Sequence, residues 1–188
     1  MENFYLLNRL ITEDNLYIWE YEAPEAYEDY SSGQSITENS QPIKLFQKNK
    51  TKKKTDYLAG IFSFPIISSN FRKLLTESRI TCIEFHPVEL ICKRNGTVDN
   101  SYSFLNILDN IACFDWQKSE FETGFIRYDV VREVRKLTIR KDKIKGRDLF
   151  RIEEIPSVIV VSLRLRKIIE AAEISGIQFK EIDAFQMP

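Results

Sequence analysis

Few residues in this chain could make or break a bond. It holds one histidine, His86, directly before Pro87, and three cysteines, Cys82, Cys92 and Cys113. A thiolate nucleophile needs a base within hydrogen-bond reach. Cys82 stands four residues before His86 on an expected strand, on the same face but too far to share a proton. The cysteines are odd in number and lack CxxC spacing. They read as buried thiols of a reducing compartment, not as disulfides or zinc ligands. The six glycines build neither a GxGxxG turn nor a Walker-type phosphate loop, and no GxSxG elbow is present. The carboxylate pairs Glu153/Glu154 and Glu181/Asp183 fall on expected exposed turns, where nothing would shift a pKa for acid–base work. The expectation is a non-enzymatic protein with no catalytic residue, no metal and no cofactor. An enzyme built on His86 and a cysteine is the outlying alternative.

Binding is the remaining chemistry, and charge is unevenly placed for it. Residues 1–43 carry nine Asp/Glu and one basic residue, Arg9. Phe4, Tyr5, Tyr17, Trp19, Tyr21, Tyr27 and Tyr30 are interleaved with them. Tyr17, Trp19 and Tyr21 alternate with Ile18, Glu20 and Glu22, the period of a strand with one aromatic face. Tyr and Trp are favoured interface anchors, and surrounding carboxylates would attract a basic partner and speed encounter. The candidate contact surface is therefore Tyr17, Trp19, Glu20, Tyr21, Glu22, Glu25, Glu28 and Asp29. Residues 132–151 are the opposite, with nine Lys/Arg against three acids. A nucleic-acid-binding regulator would use Arg132, Arg135, Lys136, Arg140, Lys141, Lys143, Lys145 and Arg147, and its affinity would fall steeply with salt. Only Phe150 supplies an interleaved aromatic there, so a solvated hairpin face is the plainer reading. The net charge of −1 gives no global field to recruit nucleic acid or membrane.

These residues must be positioned by the elements around them. Residues 66–85, IISSNFRKLLTESRITCIEF, repeat as 160–179, VVSLRLRKIIEAAEISGIQF, with an offset of 94 and six identities. Phe71, Leu74, Leu75 and Ser78, like Leu165, Ile168, Ile169 and Ala172, follow the i, i+3, i+4, i+7 spacing of an amphipathic helix. Ser68 or Ser69, and Ser162, are natural N-caps. Gly176 suits a left-handed helix end, whereas its counterpart Cys82 implies a different turn. Short strands follow near Ile83–Phe85 and Ile177–Ile182. Asn95-Gly96 marks a hairpin between Val88–Lys93 and Ser101–Leu108. Val134–Ile139 and Asp148–Ile152 read as a second hairpin, and Val158–Val161 as an apolar strand. The expected fold is α+β, a mixed sheet with hairpins and two related strand–helix–strand units. Residues 1–56, an acidic aromatic segment and a lysine-rich loop, would pack on a main domain at 57–188. No apolar run reaches the ~18 residues of a membrane span, and the N-terminus has no secretory pattern, so a cytoplasmic location is expected.

The stretch 148–183, DLFRIEEIPSVIVVSLRLRKIIEAAEISGIQFKEID, resembles the Immunity protein 11 family. FPIISSNFRKLL, Phe85-His86-Pro87-Val88, Tyr102–Ile107, Asp115-Trp116 and Ser119 extend the resemblance over about 57–183. The resemblance implies a cytoplasmic immunity protein of a bacterial polymorphic toxin system. Such a protein would bind its cognate toxin stoichiometrically and occlude its active site or substrate groove.

Overall fold

Apolar runs in the sequence become buried strands. The computed structural model describes residues 3–24, 33–36, 41–48, 52–123 and 131–186. Its strands are β1 (Phe4–Arg9), β2 (Tyr17–Ile18), β3 (Glu20–Glu22), β4 (Ile43–Gln47), β5 (Tyr57–Gly60), β6 (Ile66–Ser68), β7 (Ile83–Cys92), β8 (Val98–Ile107), β9 (Asn110–Ile111), β10 (Glu120–Thr123), β11 (Val131–Lys136), β12 (Leu149–Ile152), β13 (Ile155–Ser162) and β14 (Ile177–Glu181). Two helices, α1 (Ser69–Glu77) and α2 (Leu163–Ala171), complete an α+β fold with mixed sheets.

Two compact units are present, and both are discontinuous in sequence. The first comprises residues 1–8, 109–168 and 178–188. Its five-stranded sheet has the order β14-β1-β13-β12-β9, and β10 and β11 form a separate two-stranded ladder. β13 is a central strand whose last five residues, Val158 to Ser162, are all buried, as expected of a near-continuous apolar run covered on both faces. The core gathers Phe4, Leu6, Phe114, Val134, Leu137, Phe150, Ile152 and Val160.

The second unit comprises residues 9–108 and 169–177. Its sheet runs β2-β5-β6-β8-β7-β4-β3. The end strands β2 and β3 are consecutive in sequence with only Trp19 between them, so the sheet curls until its two ends meet. Ile18, Ile43, Leu45, Leu58, Ile66, Val88, Leu90 and Phe104 fill its interior. The Asn95-Gly96 hairpin joins β7 to β8 with Gly96 at φ 69°. β7 runs straight through Pro87, although proline cannot donate to a ladder. The β4 ladder starts one residue later, at Ile43 beside Val88, so no β4 rung needs the missing N–H.

Each helix follows the same local pattern. The Ser68 hydroxyl accepts from Phe71 N–H at 3.2 Å and donates to Asp56 at 2.6 Å. The Ser162 hydroxyl accepts from Leu165 N–H at 3.1 Å and donates to Asp148. The apolar stripes turn inward, with Phe71, Leu75, Leu165 and Ile169 all buried. Arg72 lies 4.8 Å over the Phe85 ring and Arg166 5.5 Å over Phe179.

Two expectations need correction. Cys82 does not turn differently from Gly176. Its φ is +58°, against +82° for the glycine, and Arg79 and Glu173 are left-handed at 58° and 52°. A non-glycine residue in that region costs ~1–2 kcal/mol, which the surrounding chain geometry imposes. The second hairpin is also not formed as expected. β11 pairs with β10, while β12 pairs with β13 and β9. All four residues of β12 are buried, so it needs partners on both sides. The tight connection through Glu153 and Glu154 brings Ile155 opposite Ile152.

Candidate protein-binding surface

The chain from Leu16 to Glu22 seams the second unit. Before Trp19 it runs beside β5, with Tyr17 opposite Ala59 and Ile18 opposite Gly60. After Trp19 it runs beside β4, with Glu20 opposite Phe46 and Glu22 opposite Lys44. Ile18 is fully buried and fixes the strand from beneath. Trp19 is left 68 % exposed, with its ring centroid 4.6 Å from that of Tyr17. The change of partner also divides the aromatic residues. Tyr21 packs edge-on against Phe62 at 5.9 Å and Phe64 at 5.4 Å, so it caps the interior instead of sharing one aromatic face with Tyr17 and Trp19. Strand alternation would have kept all three together. It fails because the strand bends at Trp19.

Where β2 parts from β4 the surface opens into a hollow of about 780 Å³, lined by Ile11, Leu16, Tyr17, Trp19 and Phe46 among others. Its charged lining residues are Glu13, Glu20, Lys48 and Lys52. Glu20 accepts from Lys93 Nζ at both oxygens, at 2.5 and 2.6 Å, and Glu22 stands 3.8 Å from Lys44. These exposed pairs are each worth ~0–1 kcal/mol. They hold the carboxylates in place without making them costly to re-pair. Glu25, Glu28 and Asp29 lie outside the described residues.

The basic segment is not a continuous stripe of available cations. Arg135 bonds Glu122 at 2.6 Å and Glu133 at 2.8 Å, and both carboxylates hold its guanidinium charge more firmly. Arg140 bonds Asp142 at 2.9 Å, and Arg147 lies 3.1 Å from Asp109. Lys136, Lys141, Lys143 and Lys145 are exposed. His86 is buried, lies 3.3 Å from Glu84 and stacks on Phe104, a structural setting. Burial, reinforced by Glu154, pushes the Cys113 thiol up to about 12, so it stays protonated and unreactive. Among the described residues, no group of three or more His, Cys, Asp or Glu is placed to hold a metal ion.

The profile of the immunity protein family Imm11 matches residues 10–184. The chain belongs to that family. No curated protein matches the chain. Among the described residues of this Imm11 protein, no helix is long and apolar enough to cross a membrane. The family assignment extends into the N-terminal segment, where the sequence motifs gave no family signal. The surface around the Imm11 seam also includes residues that sequence reasoning missed. Ile11 is 63 % and Ile61 52 % exposed, and the Ile61 N–H donates to the Ile18 carbonyl oxygen at 3.0 Å, one residue before Trp19. Both look like core residues in the sequence. Only the folded structure leaves them facing outward.

Proposed function

We propose that this Imm11 protein neutralises a cognate bacterial toxin by covering its active site or substrate groove, and that the covering surface is the seam bearing Tyr17, Trp19, Glu20, Tyr21 and Glu22. Glu25, Glu28 and Asp29 extend that surface in the proposal. The protein acts as a stoichiometric binder in the cytoplasm of the producing cell and makes or breaks no bond itself. The observation that carries the reading is Trp19, a two-thirds-exposed tryptophan at the end of a sheet in a member of an immunity family. Large aromatics are otherwise driven out of water, and interfaces are where they concentrate. Glu20 and Glu22, loosely held by lysines, can re-pair with basic groups of a partner and speed its encounter.

The test is calorimetric titration with the toxin domain encoded beside this chain's gene, together with a cell-protection assay. Trp19→Ala is expected to weaken binding at least about 30-fold, equivalent to ~2 kcal/mol, with circular dichroism unchanged. Glu20→Lys should slow association. Full protection by both folded variants would remove this surface.

We also propose that the two strand–helix–strand segments descend from one duplicated unit. Supporting this are the matched serine caps with their aspartates, the left-handed pairs Arg79/Glu173 and Cys82/Gly176, and the arginines over Phe85 and Phe179.

A further inference from the structure

We propose that the fork where β2 leaves β4 is the seat of a large apolar side chain, aromatic or branched aliphatic, carried on a projecting loop of the toxin. This rests on the toxin-binding reading above and adds what the surface grips. The two most exposed large hydrophobic residues in the described structure, Trp19 at 68 % and Ile11 at 63 %, border the same 780 Å³ hollow. The Tyr17 ring props Trp19 from one side, while Leu16, itself buried, and Phe46 line the cleft. Grouped, exposed apolar residues with a polar rim mark interaction sites. A pocket that desolvates one anchor inside such a rim is the arrangement in which a single side chain carries most of the binding energy.

The rim argues for a neutral occupant. It holds two acids and two lysines. The Glu20 carboxylate is engaged by Lys93, and the Lys52 ammonium by the Glu13 carbonyl oxygen. A polyanion or a small charged metabolite would meet two charges of each sign around one mouth, so the rim favours neither sign. An apolar group needs neither. Ile61, just past the end of β5, donates its N–H to the Ile18 carbonyl oxygen at 3.0 Å and adds a further exposed apolar side chain one residue along from Trp19.

The experiment uses the full chain and the toxin domain encoded beside its gene. Ile11→Asp places a charge in the hollow at an exposed position and leaves Trp19 untouched. It is expected to weaken binding at least about tenfold, whereas Ile11→Leu stays within about threefold. With fluorinated tryptophan in the chain, which has only two tryptophans, the Trp19 resonance should move on adding unlabelled toxin domain and the Trp116 resonance should not. If Trp19→Ala weakens binding and folded Ile11→Asp does not, the surface is right and the fork is not the seat. If neither variant weakens binding, the toxin-binding reading itself fails. If Ile11→Asp dissolves a concentration-dependent dimer while toxin affinity is unchanged, the fork seats a second copy of this chain and the proposal is overturned.

Discussion

At the scale of single residues, the left-handed positions separate by what surrounds them. Gly146 sits at φ +65° with nothing within 4 Å of where a Cβ would lie. Gly176 sits at φ +82°, and its Cβ would come within 2.5 Å of the Tyr57 carbonyl oxygen and 2.6 Å of Thr55 Cβ. Gly146→Ala should therefore cost only the ~1–2 kcal/mol of the backbone region. Gly176→Ala should cost clearly more, because backbone must also move. Chemical denaturation of the two variants side by side checks this ordering, and equal losses would refute it. Asp56 and Asp148 make a second prediction. Burial raises each pKa, but hydrogen bonds outweigh it, from Ser175, Ser68 and Asn70 at Asp56 and from Arg164 and Ser162 at Asp148. Both carboxyls end below the ordinary value of 3.8. A depressed folded pKa stabilises the protein above the unfolded value, and that contribution is lost as pH falls through the folded pKa. Stability should decline below about pH 4, and Asp56→Asn should make the acid limb shallower while lowering stability near neutrality. Melting curves across the acid range test it.

At the scale of elements, what could be read from the sequence was what chain-local physics determines. The stripes of Phe71, Leu75, Leu165 and Ile169 and the caps at Ser68 and Ser162 depend on neighbours within one turn. The Asn95-Gly96 hairpin needs only its own two strands. The pairing of β12 with β13 was hidden, because a four-residue buried strand has no periodicity to say which neighbour it takes. β4 was hidden by its lysines: Lys44 and the cluster that follows mark a loop, yet Ile43 and Leu45 are fully buried. The candidate surface was half visible. Aromatic and acidic composition pointed to residues 17–22, but the bend at Trp19, the lysines that hold Glu20 and Glu22, and the exposure of Ile11 and Ile61 arise from contacts far along the chain.

At the scale of the whole molecule, the arrangement of β1 has a consequence for assembly. β1 lies between β13 and β14 in the five-stranded sheet, with Phe4 opposite Ser162 and Leu6 opposite Val160. Deleting residues 1–8 should leave β14 without its neighbour and expose one edge of β13. Hydrogen exchange should then show protection lost across β12 to β14 while β7 and β8 keep theirs; intact protection in β13 would contradict this role. The same wiring sets a timetable in a translating cell. Within this chain β1 is made before its sheet neighbours β13 and β14, so the five-stranded sheet cannot close until those two strands have emerged. The β7–β8 hairpin and its β4 and β6 neighbours are all present once β8 has emerged. Any surface that depends on the closed five-stranded sheet is therefore ready later than one carried by the β7–β8 hairpin.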